Sequence, residues 1–212
     1  MSLQYQEKLD VISKIVEMKR IYTVLETSFS HSQSFLVTSG NSGEGKTTVT
    51  VGLAIAAAEK NKRVLAVDFN WYSPALHRYF GIDTIDSGDD VFDDINLSDF
   101  VKSTGIGNID ILPAVIENGS GQDGSEKNNM MHSFLREMKN DYDMIIIDAA
   151  AAFPMNYKMI DPLLISKNVD GVVMVALTNV TPRQSLKKAC VAFEAGGANL
   201  LGVIANQWQN PI

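Results

Sequence analysis

The chain is poor in three features that would assign it to other classes of protein: cysteine, positive charge and long apolar runs. Its one cysteine, Cys190, excludes a disulfide framework, a paired-thiol metal site and an iron–sulfur cluster. The formal net charge of −7 disfavours a protein that binds a phosphate backbone through a basic face, so nucleic acid is not an expected partner. No apolar run approaches the roughly 20 residues that cross a bilayer, and the polar opening 1–7 is unlike a secretory signal. We therefore expect a cytoplasmic protein with no direct membrane insertion.

Six apolar runs predict buried strands, because they are continuously hydrophobic rather than alternating. The runs are 34–39, 63–68, 109–113, 143–148, 171–177 and 201–206. Helical segments such as 47–60 and 133–139 lie between them. This order predicts an α/β doubly wound fold, with a mainly parallel sheet and helices on both faces.

Three further segments carry local signals. The helix after the fifth strand is expected to begin with Thr181 as its cap, Pro182 at the first helical position and Gln184 completing a capping box. Residues 117–129, rich in Gly, Ser and Asn, predict a loop. The acidic stretch 83–99 does not fit the Ca²⁺-loop pattern and predicts a solvated surface.

An apolar stripe at alternating spacings of four and three predicts a helix near the N-terminus. Its members are Val11, Ile15, Met18, Tyr22, Leu25 and Phe29. Such a stripe packs either against the domain's own sheet or against a second subunit. We accordingly divide the chain into an N-terminal helical segment, 1–30, which could mediate oligomerisation, and a nucleotide-binding domain, 31–212.

The run from Gly40 to Thr47 fits the P-loop pattern of Gly, four residues, then Gly-Lys-Thr, between a predicted strand and a predicted helix. Glycines let successive backbone N–H groups converge on a phosphate, while lysine reaches the outer phosphates and threonine offers a hydroxyl to Mg²⁺. The predicted ligands are ATP and Mg²⁺. The residues predicted to bind them here are Gly43, Glu44, Gly45, Lys46, Thr47 and Thr48.

Two of the predicted strands end in aspartate, at Asp68 and Asp148. The carboxyl ends of strands line the ligand crevice of an open α/β sheet, so both carboxylates should face the nucleotide. We predict that Asp148 holds Mg²⁺, through water, and that Asp68 positions the metal or the attacking group. With Lys46 they form the predicted catalytic set. Alternatively, either carboxylate could cap a neighbouring helix.

Taken in order, these motifs resemble the bacterial tyrosine kinases and their relatives among the Min-type and Par-type ATPases, from Glu17 to Asn206. The matching pieces are 35–39, 43–47, 63–68, 74–77, 80–81, 111–114, 142–143, 169–172, 197–199 and 201–203. The resemblance implies the fold of Min/Par-like P-loop proteins, a role in regulating polysaccharide synthesis or export, and a membrane adaptor as partner. It thereby places the chain at the inner face of the cell membrane.

The resemblance also assigns roles to individual positions. Min-type and Par-type proteins carry a second lysine where this chain has Asn41, which favours the kinase branch. Asn206 would contact the adenine ring. Glu17 and Arg20 resemble the start of an oligomerisation motif whose last arginine would fall at Thr23; alternatively they form a local ion pair.

Three departures from the kinase pattern should weaken turnover more than binding, because phosphoryl transfer depends on positioning and charge. Asn70 stands where the family has a second aspartate, and Tyr72 where it has an arginine. Ala149, Ala150 and Ala151 replace Thr-Pro-Pro. The family's tyrosine-rich tail is not matched either, since the last tyrosine is Tyr157. The sequence therefore supports a kinase, a degenerate nucleotide switch or a positioning ATPase, in that order.

Overall fold

The computed structural model describes residues 3–27, 33–86, 96–116, 124–154 and 159–207. The helices in these ranges are α1 (Leu3–Ser13), α2 (Val16–Thr27), α3 (Lys46–Ala58), α4 (Leu76–Phe80), α5 (Gly124–Met138), α6 (Pro162–Ile165) and α7 (Arg183–Ala195). The strands are β1 (Gln33–Ser39), β2 (Val64–Asp68), β3 (Ile85–Asp86), β4 (Lys102–Ile106), β5 (Ile109–Leu112), β6 (Val115–Ile116), β7 (Met144–Asp148), β8 (Gly171–Leu177) and β9 (Leu200–Asn206).

The central sheet has the strand order β4-β5-β2-β7-β1-β8-β9. All neighbours are parallel except β4, which runs antiparallel to β5. The six predicted strands are confirmed as β1, β2, β5, β7, β8 and β9, each within one residue of its predicted ends. Strand β4 was not predicted, because it is an edge strand with half-exposed or exposed residues and no apolar run.

Each central strand contributes side chains to two cores, one on each face of the sheet. Leu36, Leu65 and Ile145 pack in the core that α5, α6 and α7 cover. Phe35 and Ile146 pack on the other face, against the helices α1 to α4. Strands buried on both faces must be apolar at every position, which is why the predicted runs are continuous. The doubly wound α/β fold is confirmed.

The N-terminal stripe lies on two helices rather than one. Hydrogen bonds that span three residues, from Lys14 N to Val11 O and from Ile15 N to Ile12 O, tighten the chain between α1 and α2 and shift the helical phase. As a result Ile12 is buried, whereas Val11 is 45% exposed. On α2, Tyr22 and Leu25 pack in the core with α3, as the packing alternative expected. The predicted position Phe29 lies outside the described residues.

Helix α5 begins at Gly124, so the predicted loop was wrong for residues 124–129, while 117–123 lie outside the described ranges. Met131, Phe134, Leu135 and Met138 recur at helical spacing and are buried in the core. Their burial outweighs the weak helix propensity of the Gly-, Ser- and Asn-rich first turns. Of the acidic stretch, residues 87–95 fall outside the described ranges. No helix in the described part of the chain is long and apolar enough to cross a membrane.

Asp170 links the amino ends of β1 and β8 to the residue that follows α5. This edge of the sheet is opposite the P-loop. Its carboxylate accepts hydrogen bonds from Ser34 N and Ser34 Oγ, both at 2.8 Å, and from Lys139 Nζ at 2.9 Å. Burial alone would raise the pKa of Asp170, but the bonds from Lys139 and Ser34 outweigh it, so the pKa lies below its usual value.

We expect the Asp170→Asn variant to unfold more easily by about 1–3 kcal/mol, because hydrogen bonds to a charged acceptor are lost. A lowered folded pKa means that the stabilisation exists above the unfolded pKa and disappears as pH falls through the folded value. The difference between parent and variant, measured by denaturant unfolding at pH 7 and in acid, should therefore shrink toward low pH. A difference that stays constant with pH would contradict this role of the carboxylate.

Candidate functional site

The loop between β1 and α3 has the backbone shape that the P-loop pattern predicts. Gly43 and Gly45 have φ angles of 79° and 90°, in the left-handed region that favours glycine. Gly45 occupies the cap position of α3, and no side chain caps the helix there. Within the described residues, the first turn of α3 therefore presents uncapped backbone N–H groups and the positive end of the helix dipole, which together favour an anion.

Lys46 lies in the interior of this loop. Its side chain is buried, and Nζ donates a hydrogen bond of 3.1 Å to Ser39 Oγ at the end of β1. Burial lowers the pKa of Lys46, although the charges of Asp148 and Glu44 act in the opposite direction. Among the described residues no carboxylate is in hydrogen-bonding contact with this desolvated ammonium, and a phosphate would supply such an anionic partner.

Thr47 and Asp148, both predicted to hold Mg²⁺, lie in direct contact. Thr47 Oγ1 donates to Asp148 Oδ2 at 2.6 Å, which brings the start of α3 to the end of β7. Asp148 is fully buried, and its other oxygen, Oδ1, has no hydrogen-bond partner within the described residues. A buried carboxylate oxygen without a partner, beside a threonine hydroxyl, fits a Mg²⁺ site, because Mg²⁺ takes hard oxygen ligands and uses few protein groups alongside phosphates and water.

The described residues hold no cluster of three or more His, Cys, Asp or Glu side chains able to bind a metal ion alone. A divalent ion at Asp148 would thus depend on phosphates bound at the loop. This dependence is the usual behaviour of Mg²⁺ in nucleotide sites.

Asp68 lies beside Asp148, because the two residues are register partners on the neighbouring strands β2 and β7. Its carboxylate accepts from three backbone N–H groups: Asn70 N at 3.1 Å, Ala75 N at 3.3 Å and Leu76 N at 3.1 Å. Asp68 thus caps the start of α4, which was the alternative weighed for each strand-end carboxylate. Its predicted metal and catalytic roles remain predictions.

Burial raises the pKa of both carboxyl groups, and for Asp148 the neighbouring charge of Asp68 adds to the effect. For Asp68, the three backbone hydrogen bonds act against that rise. Two like charges at adjacent strand ends repel each other, and a bound divalent cation would offset this repulsion.

Glu44 ties the P-loop to the start of α7. Its Oε1 accepts from Asn41 Nδ2 at 2.9 Å and from Thr181 Oγ1 at 2.5 Å, while Oε2 accepts from Asn41 N at 3.2 Å. Asn41 Oδ1 in turn accepts from Ser185 Oγ at 2.9 Å. Asn41 is therefore engaged within its own chain. The Glu44–Thr181 contact has no signal in the sequence, because 137 positions separate the two residues and no motif contains both.

The predicted start of α7 was wrong in its capping. Pro182 occupies the cap position, Arg183 is the first helical residue, and no side chain caps the helix. The Thr181 hydroxyl accepts from Leu177 N at 2.8 Å and donates to Glu44 instead. The tertiary contact with a buried carboxylate outweighs the local capping pattern.

Asn206, at the end of β9, closes over the loop. Its Nδ2 donates to Glu44 O at 3.0 Å. A Cβ at position 45 would lie 2.2 Å from that nitrogen, so Gly45 is needed for the close approach as well as for its backbone angle. Asn206 thus lies beside the P-loop, which is compatible with the predicted contact between its side chain and an adenine ring.

A cavity of about 1060 Å³ lies beside this contact, between α2, the first turn of α3 and the ends of β8 and β9. Thr48, whose hydroxyl is 3.2 Å from Tyr79 OH, lies in its wall together with Glu17. The lining residues are Ile15, Glu17, Met18, Ile21, Thr48, Val49, Leu177, Thr178, Asn179, Val180, Ile204, Ala205, Asn206 and Gln207. Glu17 and Arg20 are both exposed, and no ion pair joins them in the described chain.

The residues that depart from the kinase pattern, at positions 70, 72 and 149–151, differ in burial and in their contacts. Asn70 Nδ2 donates to Ser73 O at 2.8 Å, so its side chain braces the loop after β2. Tyr72 is 57% exposed. Ala149 and Ala150 are buried, and the Ala150 carbonyl accepts from Thr38 Oγ1 at 2.7 Å. The three alanines place no hydroxyl or charge beside Asp148.

The model of the CobQ/CobB/MinD/ParA nucleotide-binding domain family matches residues 35–211, which is most of the chain. The chain belongs to this family. Among the relatives of this MinD/ParA-type domain is the tyrosine-protein kinase CpsD of Streptococcus pneumoniae, 28% identical over 212 residues, covering 95% of this chain and 88% of the relative.

Two solved structures share the fold. The VpsO kinase domain aligns with a TM-score of 0.73 and 21% identity, over 98% of this chain and 97% of that one. The MinD protein of Pyrococcus horikoshii aligns with a TM-score of 0.66 and 24% identity, over 84% of this chain and 72% of that one. The MinD/ParA-type fold is therefore confirmed, and the kinases among the relatives agree with the resemblance drawn from the sequence.

Proposed function

We propose that this MinD/ParA-type domain binds ATP with Mg²⁺ and acts as a protein kinase of the bacterial tyrosine-kinase type. The observation that carries the proposal is the convergence of the uncapped start of α3, the buried Lys46 ammonium and the Thr47–Asp148 pair at one end of the sheet. The similar CpsD protein is named a tyrosine-protein kinase, and the MinD structure is a complex with Mg-ADP. Both names support the choice of ligand and reaction.

In this mechanism the chain mainly positions charge. The N–H groups of the P-loop and of the first turn of α3 hold the phosphates, and Lys46 neutralises the outer ones. Thr47 and Asp148 would hold Mg²⁺, which supplies further positive charge to the transferring phosphoryl group. Asp68 holds the loop after β2 and the start of α4 in place through the three hydrogen bonds that it accepts. We also propose that it positions the metal or the attacking group.

The biological setting follows from the kinase relatives. We propose a cytoplasmic domain that regulates polysaccharide synthesis or export at the inner face of the membrane. A membrane adaptor protein would recruit it, and contacts through the exposed Glu17 and Arg20 would join copies of the chain. This setting rests on the resemblance of the whole chain to those kinases rather than on a feature of the site.

A degenerate switch, which binds nucleotide with little transfer, is the second candidate. The specific observation in its favour is Asn70, an amide occupied with Ser73 O where a carboxylate would be expected. A positioning ATPase is less well supported, because Asn41 is bonded to Glu44 and Ser185 of its own chain instead of offering a cation to a neighbour.

Comparing ATP binding with phosphotransfer separates these candidates. We expect the unaltered chain to bind labelled ATP with Mg²⁺ and to phosphorylate a Glu-Tyr copolymer slowly. The Asn70→Asp variant should transfer phosphate at least about tenfold faster at similar ATP affinity, because it returns a group able to accept a proton and attract the metal.

Asn70→Ala is the matched control, since it also loses the bond to Ser73 O but adds no carboxylate. No detectable nucleotide binding by the unaltered chain would rule out the proposed function. Rapid phosphotyrosine formation that Asn70→Asp does not increase would eliminate the switch and leave the kinase.

A further inference from the structure

We propose that Asn41, Glu44, Thr181 and Ser185 together hold the P-loop in its phosphate-binding shape, so that Thr181 and Ser185, which lie outside the loop, are positioning residues of the site. We call these four residues the Glu44 network. The inference rests on the proposed binding of phosphates at the P-loop. It deepens that proposal, because it assigns a role to two hydroxyl groups that the phosphate-binding motif does not contain.

The Glu44 carboxylate is buried and accepts three hydrogen bonds. Its Oε2 accepts from Asn41 N, and its Oε1 accepts from Asn41 Nδ2 and from Thr181 Oγ1. The Thr181 hydroxyl also accepts from Leu177 N at the end of β8. All three partners of the carboxylate are donors, so position 44 requires an acceptor at both ends of its side chain. Glutamate supplies these acceptors, whereas glutamine would turn an amide donor toward one of the partners.

The charge of Glu44 by itself opposes phosphate binding. A carboxylate repels any anion held by the loop, and burial makes the repulsion stronger than it would be in water. Both of its oxygens are bonded to Asn41 or Thr181, so the carboxylate supports binding only through the loop shape that it fixes. A clean test of this role removes a hydrogen bond of the network without changing the charge.

Hydrogen bonds also connect α7 to the Lys46 ammonium through Asn41. Ser185 Oγ, on α7, donates to Asn41 Oδ1 at 2.9 Å. The Asn41 carbonyl accepts from Ser39 Oγ at 2.6 Å, and the same Ser39 hydroxyl accepts from Lys46 Nζ at 3.1 Å. A displacement of Asn41 would therefore also move the hydroxyl that holds Lys46.

The start of the loop lies directly against α7. A Cβ at Gly40 would lie 3.3 Å from Ser185 Oγ and 3.4 Å from the Ser185 carbonyl carbon, so the close approach depends on the missing side chain at position 40. Helix α7 is itself anchored in the core through Ala189 and Phe193. The network thus holds the loop against a helix whose position the core fixes, and a loop that is already ordered loses less freedom when a ligand binds.

The test uses Thr181→Val, which removes the hydroxyl but keeps the branched shape and the net charge. The carboxylate loses one donor and should release Asn41, so Mg²⁺·ATP and Mg²⁺·tripolyphosphate should both bind at least about fivefold more weakly, part of the roughly tenfold or larger factor that a hydrogen bond to a charged group represents. The two ligands should lose affinity equally, because both use the loop. Thr181→Ser keeps the hydroxyl and should restore most of the affinity.

Thr104→Val is the matched control. The half-buried Thr104 hydroxyl, on the edge strand β4, likewise donates one hydrogen bond, to Ile109 O, and accepts one, from Ile106 N. Denaturant unfolding should show that both variants are less stable than the parent, yet the folded Thr104→Val chain should keep the parent affinity. In hydrogen exchange, the Asn41 amide should exchange faster in Thr181→Val than in the parent, and Thr104→Val should leave its exchange unchanged.

Ser185→Ala serves if Thr181→Val does not fold, because it removes the other bond from the network to Asn41, and it should weaken both ligands equally. A folded Thr181→Val or Ser185→Ala chain that binds both ligands as tightly as the parent would overturn the inference, since the network would then serve the fold alone. A loss confined to ATP would overturn it as well, because the loop would be unaffected. If the unaltered chain binds neither ligand, the proposed function is refuted, and the inference with it.

Discussion

The Lys46→Met variant should bind Mg²⁺·ATP at least about 100-fold more weakly than the unaltered chain, the cost expected when one member of a buried charge pair is removed. Lys46 is buried and bonds only Ser39 Oγ among the described hydrogen bonds, so its ammonium is already desolvated before a phosphate arrives. Methionine keeps the length and the apolar contacts of the side chain. The loss should therefore come from the missing charge.

Equilibrium titration with a fluorescent ATP analogue measures the effect, and a denaturant melt checks that the variant is folded. Lys187→Met is the matched control, because Lys187 is exposed on α7 and the substitution changes the net charge equally. The control should bind as the unaltered chain does. A Lys46→Met variant with affinity within about threefold of the parent would mean that the loop is not the phosphate site.

The shape of the P-loop could be predicted because its geometry is encoded locally. Gly43 and Gly45 supply the positive φ angles, and Lys46 and Thr47 follow in fixed register, so a short run of sequence determines the loop and the start of α3. The six strands could also be predicted, because burial on both faces of the sheet requires continuous apolar runs. The place of Asp148 followed from its position at the end of such a run.

The rest of the site depends on contacts between distant segments. Thr181 fits a helix cap by its neighbours in sequence, yet its hydroxyl bonds Glu44, which the fold brings beside it. The hydrogen bonds from the Ala75 and Leu76 amides to Asp68 likewise join segments that are apart in sequence, while its predicted role toward the metal or the attacking group stays a prediction. The cavity beside α2 had no sequence signal, because segments that are far apart in the sequence line it.

Asp148→Asn should have opposite effects on metal-dependent binding and on the stability of the metal-free chain. The gain in ATP affinity that Mg²⁺ provides should fall at least about tenfold, since a neutral amide is a much weaker ligand than a carboxylate for a hard cation. Without metal, the variant should be more stable by about 1–2 kcal/mol, because it lacks a buried charge with an unpartnered oxygen. The hydrogen bond from Thr47 can be kept, since the amide oxygen can replace Oδ2.

The stability difference should depend on pH in a defined direction. Burial and the charge of Asp68 raise the pKa of Asp148, so the folded chain holds this proton more tightly than the unfolded chain does. The metal-free parent should therefore lose stability as pH rises above about 4, where the unfolded carboxyl ionises. The amide of the variant does not titrate, so the advantage of the variant should be near zero in acid and largest at neutral pH and above.

Denaturant unfolding at about pH 4 and about pH 9, below and above the raised pKa of about 8, measures both effects when ATP is present with either EDTA or Mg²⁺. Asp141→Asn is the control, because Asp141 is exposed and its replacement removes the same charge. If Mg²⁺ with ATP stabilises Asp148→Asn as much as the parent, Asp148 does not hold the metal. If the variant is also less stable than the parent without metal at the higher pH, the Asp148 carboxylate stabilises the folded chain. The destabilisation that we attribute to its unpartnered oxygen would then not exist.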